Sequence, residues 1–376
     1  MIHPARDMPF PALWDGLKKA AEQKLVFEQT LNGEGLSLFC YTKNAVFEKK
    51  WDAITLLSRG LIVDPREERV VATPFSKFFN VGETGETIPD LAFETFEKVD
   101  GSLIIVYWHD GYWRTATKGS FSSDQARWAA QHIAAYDLRC LDKGTTYLAE
   151  AVYPENRIVV HYTEAGLVLL AAYDGAGYEV PFDEIKCVGD RLGWHVANRH
   201  AYSSVSDLIA KAKLLPPSEE GFVLRFENGL RLKVKGDEYK RIHALISRCT
   251  PLAMWEAMAA GDDLNTLRRD LPEEFWGDFD AITGILNTQV QCLVQRASDA
   301  VETVAGLSDK EVGLRLGSFP EDVRRFIFPL RKFGSLLESR TREALFRSIR
   351  PTGNKLEGYV PSYAMNRVES NQEENV

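Results

Sequence analysis

With 376 residues, 45% of them hydrophobic and 26% charged, the chain is long enough for two folded domains and too apolar for disorder outside its acidic end, ESNQEENV. A formal net charge of −9 excludes a general polyanion binder, because sequence-independent phosphate affinity comes from Lys and Arg; any nucleic-acid contact has to be local. Cys40, Cys140, Cys187, Cys249 and Cys292 stand singly, with no C-x-x-C and no His at metal-ligand spacing, which signals neither a disulfide framework nor a zinc site and fits a reducing cytoplasm.

The opening MIHPARDMPF has no basic segment leading into an apolar core, and no apolar run approaches ~20 residues, so a cytoplasmic protein without a membrane span is expected. Up to about Leu245 the texture is strand-rich, with short alternating apolar runs separated by turn dipeptides. Beyond Thr250, Gly and Pro thin out and helical spacing takes over. The expected class is α+β, with domains over 1–248 and 249–376 and no internal repeat.

KVDGSL puts Lys98 ahead of an acidic turn at the mouth of the apolar run IIVYW. A surface lysine with a pKa near ~10.4 is inert at neutral pH. As a nucleophile it needs a pKa of roughly 7–8, which desolvation or neighbouring positive charge can supply. Lys233 and Lys235 are the expected suppliers of that charge. Asp100-Gly101 forms the tight turn, and Ser102 can bond a phosphate oxygen or the turn itself.

Two hairpins have countable registers. In SLIIVYWHDGYWRTATKGS, the Asp110-Gly111 type I′ signal pairs His109 with Tyr112 and Trp108 with Trp113, returning Lys118 beside the DGS turn. Between them and the second hairpin, Glu150 lies in the apolar run YLAEAVY, where a lone carboxylate is costly without a partner. In EEGFVLRFENGLRLKVKGD, a two-residue Asn228-Gly229 turn would set Leu224 opposite Lys233 and Phe222 opposite Lys235. On that register Glu220, Phe222 and Leu224 share a face with Arg231, Lys233 and Lys235, while Val223, Leu232 and Val234 face the core. A cationic face is ordinarily the solvated one; a face mixing apolar and cationic residues suits a ligand groove better.

Further on, FPEDVRRFIFPLRKFGSLLESRTREALFRSIR gathers Arg324, Arg325, Arg331, Lys332, Arg340, Arg342, Arg347 and Arg350 with interleaved aromatics. It reads either as an amphipathic helical pair with a charged exterior or as an RNA-docking face.

The order of these segments resembles the RNA ligase 1 family, typified by the tRNA-repair ligase of T-even phages, within the covalent lysyl-nucleotidyltransferase superfamily, whose first motif is K-x-D-G. The resemblance runs from SRGLIVDP to KVKGDEYKRIH. It implies a nucleotidyltransferase domain of ATP-grasp-like antiparallel sheets followed by an all-α C-terminal domain. It makes Lys98 the lysine that takes AMP, with Lys233 and Lys235 on the α-phosphate. Arg59 of SRG, Lys77 of the K-F-F-N string, Lys118, Asp100 and Glu150 become nucleotide-binding residues, and Glu220 with Glu150 the holders of Mg2+. Val99 departs from the phage enzyme, which has an acidic residue there; its side chain is expected to point away from the lysine.

The implied activity is ATP-dependent joining of an RNA 5′-phosphate to a 3′-hydroxyl, through lysyl-AMP and RNA-adenylate. A nicked tRNA anticodon loop is a candidate substrate, and an end-healing kinase or phosphatase would be a separate protein. Two alternatives stay open. A DNA ligase or GTP-using capping enzyme would carry a β-barrel where this chain turns helical. A catalytically silent RNA-binding protein that kept the fold would retain RNA without turning over nucleotide.

Overall fold

A computed structural model describes residues 2–31, 33, 35–85, 87–271, 275–353 and 355–361, without the side chains of 339 and 340. The side chain of Arg340 in the basic segment and the acidic end ESNQEENV therefore lie outside what is described. The chain divides into two compact units, with the boundary between His243 and Ala244. The sequence expectation of 248 had followed texture, whereas one helix, Asp237–Arg248, runs across this point.

The first unit is built on three sheets. Strands β1 (Val26–Leu31), β2 (Leu36–Tyr41), β3 (Arg59–Asp64) and β4 (Arg69–Ala72) form an antiparallel meander. Strands β7 (Ser102–His109), β8 (Tyr112–Thr117), β9 (Thr146–Val152) and β10 (Gly166–Tyr173) form a second antiparallel sheet in the order β10-β9-β7-β8. The third sheet collects distant segments in the order β11-β6-β12-β13-β5, from β5 (Phe79–Asn80), β6 (Phe93–Glu97), β11 (Arg199–His200), β12 (Gly221–Phe226) and β13 (Arg231–Lys235).

Period-two alternation explains how the continuously apolar β7 is buried on both faces. Leu103, Ile105 and Tyr107 pack toward the first sheet with Leu38, Ile62 and Ala72. Ile104 and Val106 pack the other way with Ala129, Ile133 and Ile185, from the helices Asp124–Ile133 and Phe182–Leu192.

The first hairpin has the register read from its Asp-Gly turn, with His109 opposite Tyr112 and Trp108 opposite Trp113. The second does not. Gly221 lies opposite Lys235, Phe222 opposite Val234 and Val223 opposite Lys233, one residue away from the expected pairing. The loop has three residues, Glu227-Asn228-Gly229: Phe226 N donates to Leu230 O at 2.9 Å, and Gly229 takes φ 79°. A turn closed by a left-handed glycine absorbs one more residue than a two-residue turn, and that single residue exchanges the faces. Phe222, Leu224 and Phe226 accordingly join Leu232 and Val234 in the core beneath the helix Val205–Ala212. Val223 and Arg225 stand with the cationic residues of β13.

The second unit contains no strand among its described residues. Its 28-residue helix, Trp276–Thr303, buries Phe279, Ile282, Leu286, Val290, Leu293, Ala297 and Ala300. That spacing of three and four residues is one helical face. The helix Glu321–Phe333 buries Val323, Phe326 and Ile327. No helix among the described residues is long and apolar enough to cross a membrane.

Two arginines of the basic segment are spent inside this unit. Arg342 donates to Ala259 O at 3.1 Å and to Met258 O, at the C-terminal end of the helix Pro251–Ala260. Arg331 donates to Val304 O at 3.1 Å and Leu307 O at 2.8 Å, just past the long helix. Guanidinium groups satisfy the last carbonyls of a helix and complement its dipole. Arg342→Ala is expected to lower the stability of the helical unit by about 1–3 kcal/mol in thermal melts, with partial recovery in Arg342→Lys.

Candidate active site

One cavity of the first unit is lined by Lys98, Asp100, Glu150 and Glu220 together with Arg59, Lys77, Lys118 and Lys233. Lys235, the ninth residue expected in the site, reaches it through Glu220, with Nζ 2.9 Å from Oε1. Segments far apart in sequence meet here because the Lys98 turn joins β6 of the third sheet to β7 of the second.

Two glycines set the approach. A Cβ on Gly101 would lie 2.4 Å from Ala151 O and 3.0 Å from Glu150 Cγ, so only glycine lets the turn sit on β9 beside Glu150. Gly60, with φ 93°, brings β3 against the backbone of Lys118, where a Cβ would lie 2.8 Å from its Cα.

Glu220 reaches the site for a reason the hairpin count missed. Strict alternation opposite Lys235 would send it to the core face, but Gly221 has φ 145° and turns the chain at that point. The Glu220 carboxylate then sits between two ammonium groups, 2.7 Å from Lys98 Nζ and 2.9 Å from Lys235 Nζ.

The protonation of the site also differs from expectation. Burial favours neutral Lys98, but Glu220 and then Glu150 outweigh it and hold the amine above its ordinary pKa. In this state Lys98 is an ion-paired ammonium, because carboxylates and not lysines are its nearest charges. The depressed amine is Lys233, brought to about 6 by burial and by Lys235 and Lys98. Burial, followed by Arg59, lowers Lys77 to about 8. Burial raises Glu150 to about 8, with Glu220 adding to it against Lys98. Glu220 itself, despite burial, is held below its ordinary value by Lys235 and Lys98.

Asp100 is occupied by the protein. Its Oδ2 accepts from Val159 N at 2.9 Å and Val160 N at 2.8 Å, and its Oδ1 from Tyr239 Oη at 2.8 Å, while its own N–H donates to Tyr162 Oη at 2.8 Å. These bonds hold the turn that carries Lys98. Ser102 likewise bonds Asn156 Oδ1 at 3.0 Å. Val99 is buried with Val152, Val168 and Ala197.

Three rings surround Lys77 Nζ: Tyr41 at 5.2 Å, Trp51 at 5.5 Å and Phe79 at 5.5 Å. Lys118 Nζ lies 5.3 Å from the same Tyr41 ring. Arg59 stacks 5.6 Å from Phe78, and its Nη1 is buried with no hydrogen-bond partner among the described residues. Sequence reasoning missed the three-ring cage. Phe79, two residues after Lys77, carried a signal for it; Tyr41 and Trp51 had none. Tyr239, four residues past Lys235, was signalled only by its spacing.

Largely antiparallel sheets meeting at the Lys98 turn, followed in the chain by helices, are the α+β arrangement expected from the sequence. A family model described as RNA ligase, of the T4 type 1 kind, matches residues 57–239, just under half of the chain. It is 29% identical over 262 residues to a putative bifunctional polynucleotide kinase/RNA ligase of Autographa californica nuclear polyhedrosis virus, covering 59% of this chain and 36% of that protein. It is 32% identical over 182 residues to RNA ligase 1 of bacteriophage TS2126, covering 43% and 45%. The chain thus spans less than half the length of these two relatives. An archaeal ATP-dependent RNA ligase structure aligns over 97% of this chain and 99% of its own, at 14% identity and a TM-score of 0.45, too distant to transfer anything residue by residue.

Proposed function

We propose that the chain is an ATP-dependent RNA ligase that joins RNA 5′-phosphate and 3′-hydroxyl ends in RNA repair. The observation that carries this reading is Lys98, ion-paired with Glu220 and sharing one cavity with Glu150 and four cations, Arg59, Lys77, Lys118 and Lys233.

The Lys98 ammonium must first lose a proton, and the acceptor in contact is Glu220 Oε2 at 2.7 Å. The neutral amine then attacks the α-phosphorus of ATP; the N–P bond forms, the Pα–O bond to the β-phosphate breaks, and pyrophosphate leaves. Lys233 and Lys235 are suited to charge on the α-phosphate, and Lys77, Arg59 and Lys118 to the leaving group. The unpartnered Arg59 Nη1 and the depressed Lys77 and Lys233 are what an anion would satisfy.

Glu220 and Glu150 offer hard carboxylate oxygens, and no group of three such ligands comes together among the described residues. That set fits Mg2+ held chiefly through phosphate oxygens and water. When bound, the cation would neutralise triphosphate charge and weaken the carboxylates' hold on the Lys98 proton. AMP then passes to an RNA 5′-phosphate, and a 3′-hydroxyl displaces it. A nicked tRNA anticodon loop is the substrate we favour, with its ends prepared by kinase and phosphatase activities, in the cytoplasm.

Incubation with α-labelled ATP and Mg2+ should label the wild type through an acid-labile phosphoramide and leave Lys98→Ala unlabelled. An unlabelled wild type that still retained RNA would instead support a silent RNA-binding protein.

A further inference from the structure

In-line phosphoryl transfer constrains where the RNA arrives. When Lys98 attacks ATP, pyrophosphate departs from the opposite side of the α-phosphorus. When RNA attacks lysyl-AMP, Lys98 is the group that departs, so the 5′-phosphate must approach from the position pyrophosphate vacated. In that step the P–N bond breaks, a P–O–P bond forms, and the nitrogen regains a proton. The strand behind the 5′-phosphate therefore emerges at the end of the cavity marked by Lys77 and its rings.

The chain makes a short excursion at this place. Tyr41 and Trp51 both belong to the Lys77 cage, with ring centroids 5.2 Å apart, and residues 42–50 leave and return between them. The excursion is one short helix, Lys43–Phe47, capped by Thr42, so its tip stays within ~15 Å of the cage at ~1.5 Å per helical residue. It buries Ala45 and leaves Phe47 72% exposed. Lys43, Lys49 and Lys50 are exposed on the same excursion, and the backbone of exposed Lys24 adjoins its start, where the Thr42 hydroxyl donates to Lys24 O at 2.7 Å. One acid at the tip, Glu48, pairs with Lys50 at 2.6 Å.

Four exposed lysines on or beside the segment that carries exposed Phe47 outnumber its one acid, on a chain whose net charge is −9. A base stacks on an aromatic face without regard to sequence, while lysines follow the phosphates on either side. We infer that residues 42–50 are the seat of the 5′-phosphorylated RNA strand, with Phe47 stacking a base near the 5′ end and Lys24, Lys43 and Lys49 contacting its backbone. The inference rests on the ligase reading and adds a substrate surface to it.

Single-turnover transfer of AMP from pre-formed lysyl-AMP to a 5′-phosphorylated single-stranded oligoribonucleotide, followed over a range of RNA and salt concentrations, separates the two. Phe47→Ala is expected to raise the RNA concentration for half-maximal transfer about tenfold, and Lys43→Glu with Lys49→Glu to flatten its salt dependence. Lysyl-AMP formation from ATP should be unchanged in all variants. If they adenylate normally and match wild type in RNA concentration and salt dependence, the seat lies elsewhere and the ligase reading survives. If wild type forms no lysyl-AMP, both readings fall.

Discussion

Gly221→Ala is expected to cut lysyl-AMP formation by about 10²-fold and to cost about 2–4 kcal/mol in denaturant unfolding. The added Cβ would lie 2.0 Å from Val234 O, and φ 145° is strained for any residue with a side chain. Relief requires either parting β12 from β13 or rotating the peptide that aims Glu220. The first route opens the pairing of Gly221 with Lys235; the second removes the carboxylate from between Lys98 and Lys235. Arg225→Ala, on the cationic face of the same strand, tests whether disturbing β12 generally is enough. A Gly221→Ala protein that adenylates at the wild-type rate would show that Glu220 need not be held where it is seen.

Lys233→Met should move stability and activity in opposite directions. The side chain keeps its apolar length but loses the amine, so adenylation should fall by about 10²–10³-fold, comparable to removing an oxyanion-stabilising donor. Because the folded pKa, about 6, lies below the unfolded value, the charged amine is disfavoured by folding. That cost is absent well above pH 10.5, grows as pH falls, and is complete below about 6. The variant should therefore melt higher than wild type, by a margin on the order of a few kcal/mol near pH 6 that closes as pH rises toward 10. Equal melting temperatures across that range would show that the amine is not strained in the folded state. Nucleotide binding to wild type near pH 7 should also take up protons, detectable as a buffer-dependent binding enthalpy, and Lys233→Met should remove part of that uptake.

The hairpin at Asp110-Gly111 could be read from sequence because a type I′ turn leaves one way to count. At Asn228-Gly229 the same dipeptide logic failed by one residue, because the glycine closed a longer turn and Glu227 entered the loop. Glu220 lines the cavity although the register that pointed to it was one residue off; the actual cause, a glycine at an unusual φ, leaves only its identity in the sequence.

The charge of Lys98 was misjudged for a different reason. Lys233 and Lys235 were visible one strand away, but only the folded chain shows that Glu220 and Glu150 stand closer in effect. The clamp on Asp100 was not legible either, since two of its donors are backbone amides of Val159 and Val160, and an amide has no residue-type signature. The aromatic cage on Lys77 draws on β2, β5 and the segment between β2 and β3, which no local pattern links.

The short parallel pairing of β5 with β13 sets Phe79 beside Leu232 and Asn80 beside Lys233, and Val81 N donates to Lys233 O at 3.0 Å. Backbone stitching of this kind makes the distance from Lys77 to Lys233 a matter of residue count. The chain should tolerate lengthening among the exposed residues 83–85, yet a single amino acid inserted at Phe78 would throw one of the two cations out of step with the other.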